Sequence, residues 1–419
     1  MATTLTTAKK KRVLSGMRPT GKLHIGHYFG ALENWVRLQQ DPAYDCFYFI
    51  ADWHALTSDY ADTSAVAQNT VEIVTDYLAA GLDPQKSVIF QQSLVPEHAE
   101  LDLLLGMVTP LGWLERVPTY KEQIENVTSK DLHTYGFLGY PCLQTADIVM
   151  YSEPGTPLFV PVGEDQVSHV ELSREMVRRF NTFYGFDVLL EKIRGNKKAV
   201  ETLRRLHPAM ANASEEEILA AYRSESKAAA MMSGIDNFLE AQKGSSEYFA
   251  RREVLTEPQV QLTKTPRIPG LDGRKMSKSY GNAITLAESD ADIRSKTKVM
   301  VTDPARKRRS DPGNPDVCPA YDWHQLFSSS ETLEWSATGC RTAGIGCLEC
   351  KAKMADHLIE WIGPIRERRF EYEKHPARVL EIIDQGSQRA RDVAQGTMQR
   401  VREAVFGWEK RRGEIKAGD

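Results

Sequence analysis

Cysteine is scarce in this chain. Six of its 419 residues are cysteines, too few and too unevenly placed for the disulfide framework of a small secreted scaffold. Long hydrophobic runs are missing. A membrane-spanning helix needs about 20 apolar residues in a row, so no membrane association is expected. An excess of charge of one sign is missing too. Lys and Arg number 53 against 57 Asp and Glu, a net charge of −4, which excludes nucleic-acid binding by bulk charge alone. The N-terminal MATTLTTAKKKRV is basic, but no apolar segment follows it. It is therefore not read as a secretory signal; residues 1–11 are expected to be a flexible arm, and the protein cytoplasmic. Internal repeats are absent, which excludes solenoids and propellers.

What is present is a long chain of ordinary hydrophobic content, 41%, enough for a large core in two or three parts. RVLSG (12–16), YDCFYFIAD (44–52) and SVIFQQS (87–93) read as strands. Helical patterns fill 25–40 and 64–83, the second stopping at Gly81. Strand and helix in alternation predict a parallel α/β sheet of Rossmann type, with ligands beyond the carboxyl ends of the strands. Helices are expected at 97–115 and 138–151, a strand at LFVPV (158–162), and a helix at 164–180. The catalytic domain is thus assigned to 12–185. Residues 186–252, rich in Ala, Glu, Lys and Arg, read as a helical insertion, in which Ser214 and Glu217 form a capping box. Residues 253–290 return to the catalytic domain, and 291–419 form a helical C-terminal domain ending in an amphipathic helix at about 376–407. Cys46 and Cys142 read as core residues. The basic clusters at 9–12, 306–309 and 366–369 read, taken alone, as solvated faces.

Two stretches carry chemistry. GKLHIGHYFGALENWV (21–36) follows the first strand and opens a helix. A helix N-terminus offers free N–H groups and the positive end of a dipole to phosphate. His24 and His27 can donate to phosphoryl oxygens, and Gly26 leaves room for a flat base against its backbone. Far downstream, IPGLDGRKMSKSYGN (268–282) places Lys275 and Lys278 between glycines. Such a mobile positive loop suits closure on a triphosphate and stabilisation of departing pyrophosphate. Taken apart, the first stretch reads equally as a turn with exposed histidines, and the second reads rather as a solvated basic loop.

Together, HIGH (24–27) and KMSKS (275–279), both unsubstituted, resemble the paired signatures of class I aminoacyl-tRNA synthetases. SGMRPTGKLHIGHYFGALENW, FIADWHALT, YPCLQTADIVMY, VPVGEDQ and TDPARKRRSDPGNPDVCP narrow the resemblance to bacterial tryptophanyl-tRNA synthetases, from about residue 12 to the end. The resemblance implies tryptophan activation by ATP with Mg²⁺, giving the adenylate and pyrophosphate, then transfer to the 3′ end of tRNA(Trp) by a homodimer. It implies ATP contacts at Arg18, Pro19, Thr20, Gly26, His27, Gly163, Glu164, Asp165, Ile268 and the loop residues Lys275, Met276, Ser277, Lys278 and Ser279. Lys278, Lys275, His24 and His27 would do the charge work. An indole N–H only donates, so its pocket needs a buried acceptor; Asp147 matches the family's aspartate. Gly16, Tyr140, Gln144 and Gln166 would complete the amino-acid pocket. Gln144 stands where several members carry methionine, and Arg18 where glutamine is common.

Cys318, Cys340, Cys347 and Cys350 form C-x21-C-x6-C-x2-C. Read from the residues, four thiolates suit Zn²⁺ or a [4Fe–4S] cluster, or stand free. Some bacterial members of the family carry a [4Fe–4S] motif here with the same last two intervals, so the resemblance implies a cluster near the anticodon-binding surface. A nucleotidyltransferase would share the HIGH-like site but lack GEDQ and the C-terminal half. A non-catalytic RNA-binding relative would have lost histidines or lysines from the signatures. A tyrosine-specific synthetase is the nearest alternative.

Overall fold

The computed structural model describes residues 10–127, 130–210, 212–263 and 268–418. The expected arm at 1–11 falls almost wholly outside the described residues, as do the side chains of Asp165 and Ser279. Lys11 already opens a strand, β1 (Lys11–Met17). The chain then runs through α1 (Ile25–His27), a π-helical turn at Tyr28–Leu32, α2 (Glu33–Leu38), β2 (Tyr44–Ile50), α3 (Asp52–Asp59), α4 (Val66–Ala80) and β3 (Ser87–Gln91). Next come α5 (Glu97–Val108), α6 (Leu111–Leu114), α7 (Pro118–Asn126), α8 (Tyr135–Met150), β4 (Leu158–Val162) and α9 (Val167–Tyr184). After them stand β5 (Phe186–Val188), α10 (Leu190–Arg194), α11 (Lys197–Leu206), α12 (Glu215–Ser233), α13 (Ile235–Ala241), β6 (Phe249–Arg251) and β7 (Pro258–Leu262). The remainder is helical: α14 (Asp290–Lys298), α15 (Pro319–Phe327), α16 (Ser330–Arg341), α17 (Cys347–Lys374), α18 (Pro376–Phe406) and α19 (Trp408–Gly418).

The main sheet has the order β3-β2-β1-β4-β7, and all its pairings are parallel. Alternate residues face opposite sides: Val13, Cys46, Tyr48, Ile50 and Ile89 enter one core, and Leu14, Phe47, Phe49, Val88 and Phe90 the other. Both faces are therefore covered, as a parallel sheet requires. The chain builds outward from β1 to β2 and β3, then returns to the other side of β1 with β4. The crevice between β1 and β4 is thus the topological switch point where ligands bind.

Departures from the sequence reading have local causes. The helix expected at 25–40 is broken by the π-helical turn, which supplies one extra residue to the turn. There Phe29 stacks on Trp361 with ring centroids 5.2 Å apart, and Tyr28 meets the same ring edge-on at 4.9 Å. The helix expected at 97–115 ends at Val108, because Thr109 precedes proline and is extended (ψ 124°). The insertion is not purely helical: β5 and β6 pair antiparallel across its mouth, with Phe186, Phe238 and Phe249 in its own core. β7, for which no strand is expected, forms because β4 offers it a free edge. The basic clusters are not simply solvated. Arg12 is buried over the Phe47 ring, Arg306 is buried, and Arg369 is buried on Asp76 and Glu72.

α18 lies against β3, at the end of the sheet. A Cβ on Gly386 would fall 1.7 Å from the carbonyl oxygen of Ile89, so only glycine allows this approach. Next to it the Ser387 hydroxyl accepts the N–H of Gln91 at 3.2 Å. Among the described residues no helix is long and apolar enough to cross a membrane.

Candidate active site

β1 ends at Met17, and the chain turns through Gly21, whose φ of 87° is a glycine conformation. The next residues are held from two sides. Leu23 N–H donates to the buried Asp76 carboxylate at 2.6 Å. Segment 284–286 pairs with it, Ile25 N–H to Ile284 O at 3.0 Å and Leu286 N–H to Leu23 O at 2.8 Å. That pairing brings the two sequence-distant signatures together.

The His24 and His27 rings stack 3.6 Å apart. His24 N–H donates to His27 Nδ1 at 3.2 Å, which leaves the His27 proton on Nε2. Burial first, then the charge of Lys278, lowers the pKa of His24 to about 4. Burial, His24 and Lys278 lower that of His27 to about 3. Both are therefore neutral hydrogen-bonding groups near neutral pH, not cations. A Cβ on Gly26 would meet His24 Nδ1 at 2.9 Å and Met276 Sδ at 3.5 Å, so a side chain there would crowd the His24 ring.

The KMSKS loop lies on this stretch. Lys278 Nζ donates to the carbonyl oxygens of Thr20 and, at 3.0 Å, Lys22. Burial lowers the pKa of its ammonium. Met276 and Ile268 are buried, whereas Lys275 is exposed. Asn282 organises the loop, accepting Ser277 N–H at 2.7 Å and donating to Asp272 at 2.7 Å and Lys275 O at 3.2 Å.

Beside it, at the carboxyl ends of β1 and β4, lies a cavity of about 540 Å³. Gly16, Arg18, His27, Tyr140, Gln144, Asp147, Gly163 and Gln166, all singled out from sequence, line it. Pro19, Thr20, His24, Gly26, Glu164, Ile268 and the KMSKS residues do not. Gly16 is required by packing, since a Cβ would meet the Phe49 ring at 2.5 Å. Arg18 is anchored rather than loose: its guanidinium donates to Ser58 Oγ at 2.6 Å and Asp59 Oδ2 at 2.9 Å.

Asp147 is buried and meets three side chains. One oxygen meets His98 Nδ1 at 2.5 Å, the other His54 Nε2 at 2.9 Å, and Gln92 Nε2 lies 2.8 Å from both. Burial alone would raise its pKa; His98 and His54 overcome this and hold it below the ordinary carboxylate value. Behind it, His98 Nε2 meets the buried Tyr151 hydroxyl at 2.7 Å. Asp102, near this charge, is pushed up to about 6, by burial first and then by Asp147. Across the cavity, Thr119 Oγ1 joins Tyr140 (2.8 Å) to His169 (2.9 Å). Sequence reasoning missed His54, Gln92, His98, Thr119 and His169. For His98 a signal existed: a histidine flanked by carboxylates in VPEHAELD, at the start of a helix.

The four C-terminal cysteines gather between α15, α16 and α17. Among the described residues, however, no group of three or more His, Cys, Asp or Glu is close enough to hold a metal ion. The thiols nonetheless share one environment, since Cys350 is pushed up to about 12, by burial first and then by Cys318, Cys340 and Cys347. Arg306 reaches Cys340 Sγ at 4.0 Å, and His324 Nε2 reaches Cys350 Sγ at 3.3 Å. Gly313 leaves room for Cys340, whose sulfur would stand 2.6 Å from a Cβ there. Four thiols in one environment with the Arg306 guanidinium beside them are, by their chemistry, the donor set that an anionic Fe–S centre takes.

A family described as class I tRNA synthetases (W and Y) matches residues 6–220 and 233–362. The tryptophan–tRNA ligase of Ralstonia nicotianae is 50% identical over 406 residues, covering 94% of this chain and 98% of that protein. The tryptophan–tRNA ligase of Thermotoga maritima is 44% identical over 395 residues, covering 94% and 98%. Among solved structures, tryptophanyl-tRNA synthetase from Campylobacter jejuni, complexed with ADP and tryptophan, aligns with a TM-score of 0.70 at 28% identity, covering 94% of this chain and 99% of that one.

Proposed function

The chain belongs to the class I tRNA synthetases of the tryptophan and tyrosine type and is a tryptophan–tRNA ligase, and from that premise we propose how its residues divide the work. The cavity at the end of β1 takes the tryptophan. Asp147 accepts the indole N–H, His54 and Gln92 fix the orientation of its carboxylate, and Gly16, Tyr140 and Gln144 form the walls. Gln166 receives the amino or carboxylate group. The observation that carries this reading is a buried, ionised acceptor on the lining of a cavity that His27 of the HIGH stretch also lines.

ATP with Mg²⁺ lies over the HIGH stretch, held by Pro19, Thr20, Gly26, His27, Gly163, Glu164, Asp165 and Ile268 and by the KMSKS loop. The tryptophan carboxylate attacks the α-phosphorus in line, and pyrophosphate leaves. The terminal adenosine of tRNA(Trp) then attacks the carbonyl, and AMP leaves. His24 and His27 act as neutral donors. Lys278 exchanges its backbone carbonyl partners for phosphate oxygens as charge develops, with Lys275, Met276, Ser277 and Ser279 completing the loop. Positioning and charge stabilisation are the whole of the catalysis. Arg18, already paired with Asp59, serves as a fixed fork beside the phosphates.

Residues 12–185 and 253–290 form the catalytic domain, 186–252 an insertion, and 291–419 the anticodon-recognition domain. Cys318, Cys340, Cys347 and Cys350 would hold a [4Fe–4S] cluster, which when bound supplies a rigid anionic centre on the anticodon side. The protein works in the cytoplasm as a homodimer. Support for the dimer is the exposed apolar surface of Leu103, Met107, Leu111 and Tyr135. The deciding experiment is ATP–pyrophosphate exchange with each amino acid. Tryptophan is expected to support it and tyrosine to fail by at least about a thousandfold, since tyrosine leaves a cavity and an unmatched Asp147. Comparable exchange with tyrosine would overturn the reading.

A further inference from the structure

The four cysteines and the KMSKS loop are far apart in sequence, and nothing assigned above connects them. Their contacts do. α15 begins directly after Cys318, whose carbonyl accepts Tyr321 N–H at 2.8 Å. Trp323 on this helix is fully buried and donates Nε1–H to the carbonyl oxygen of Pro269 at 2.9 Å. Pro269 bridges across the loop to Lys275. The next residue on the helix, His324, points back to the cysteines, its Nε2 3.2 Å from Cys350 O and 3.3 Å from Cys350 Sγ.

A second strut runs alongside. Lys351, the buried residue after Cys350, donates to the carbonyl oxygens of Lys298 at 2.5 Å and Met300 at 2.9 Å. One residue on, Val301 N–H donates to Leu271 O at 2.8 Å. Between the struts, a Cβ on Gly273 would stand 3.3 Å from both Pro319 and Val301. The base of the loop, residues 269–273, thus rests on the helix that Cys318 begins and on the turn that Lys351 clamps.

We propose that Trp323 and Lys351 are positioning residues for the ATP loop, and that through them the state of the four-cysteine site sets how well that loop closes. The first half stands on the contacts alone; the second rests on the cluster reading above. Each strut satisfies a buried carbonyl, so cutting it orphans an acceptor at the loop's seat. A loop with a looser seat binds triphosphate less well while the tryptophan cavity is untouched.

Trp323→Phe keeps a ring but removes the N–H, and Lys351→Met keeps the stem but removes the donors. With full-length protein purified without oxygen, each variant is expected to raise the ATP KM in pyrophosphate exchange about tenfold. The tryptophan KM should stay within about twofold, and trypsin should cut faster at Arg274 and Lys275. Removing iron by chelation should raise the wild-type ATP KM in the same way, yet add less than about twofold to the double variant Trp323→Phe/Lys351→Met, because both struts are already cut. Additive effects would overturn the coupling. An unchanged ATP KM and cleavage rate in both variants would overturn the positioning role. So would a parallel rise in both KM values with a lowered Tm, the sign of lost packing only. Protein holding no iron would remove the cluster reading and the coupling with it, while the two variants still decide the positioning role.

Discussion

At Asp147 one buried carboxylate faces three side chains, so its removal is felt on every side. Asp147→Asn should raise the tryptophan KM roughly a hundredfold, from the loss of ~1.5–3 kcal/mol of charge-assisted hydrogen bonding, while the ATP KM moves less than about threefold. Steady-state exchange kinetics check this split. His27 gives a second prediction, in pH. Its folded pKa, about 3, lies below the ordinary value of 6.5, so the unfolded chain binds more protons between the two. Stability from this group is complete above 6.5 and is lost as pH falls through that window. Asp102, pushed up to about 6, and Asp76, also about 6, act in the opposite sense, so the test is differential. The Tm of His27→Asn should fall less between pH 7 and pH 5 than that of the wild type, by the equivalent of about 1–2 kcal/mol. At this scale the sequence was legible where a motif was contiguous. HIGH, KMSKS and Asp147 could be read. The partners of Asp147 could not, because His54, Gln92 and His98 come from three separate elements and meet only through sheet topology.

Among elements, the alternation of strand and helix from β1 to β4 was readable because apolar periodicity and caps agreed, as at Gly81, and α12 was readable from its Ser214–Glu217 capping box. β7 was not, since a short polar strand is defined by the edge it joins. Nor was the burial of Arg306 and Arg369, which depends on carbonyls and carboxylates supplied by other elements. Arg369 joins α17 to α4, and Asp76 in turn holds the HIGH segment through Leu23. Arg369→Met should therefore cost about 3–5 kcal/mol by leaving a buried carboxylate unpaired, read by urea unfolding. Gly386→Ala tests the seat of α18. A methyl 1.7 Å from a carbonyl oxygen cannot be accommodated without moving the helix, so a loss of at least about 3 kcal/mol is expected. A neutral result would mean that α18 slides freely on β3.

For the whole molecule, the exposed Leu103 and Met107 on α5 predict the assembly. On the homodimer proposed above, the wild type is expected to scatter as a dimer at micromolar concentration and Met107→Glu as a monomer with its secondary structure intact. The packing of α18 reaches further than the finished enzyme. Residues 376–406 are made after every strand, yet they cover the edge strand of a sheet whose strands are all made by residue 262. A nascent chain therefore completes its parallel sheet more than a hundred residues before β3 is shielded. During that interval the open strand is a template for pairing with other chains. Messages cut short before α18 should yield insoluble protein, even though they encode the whole HIGH and KMSKS machinery. For this fold, safety from aggregation arrives with α18 rather than with the assembly of the active site.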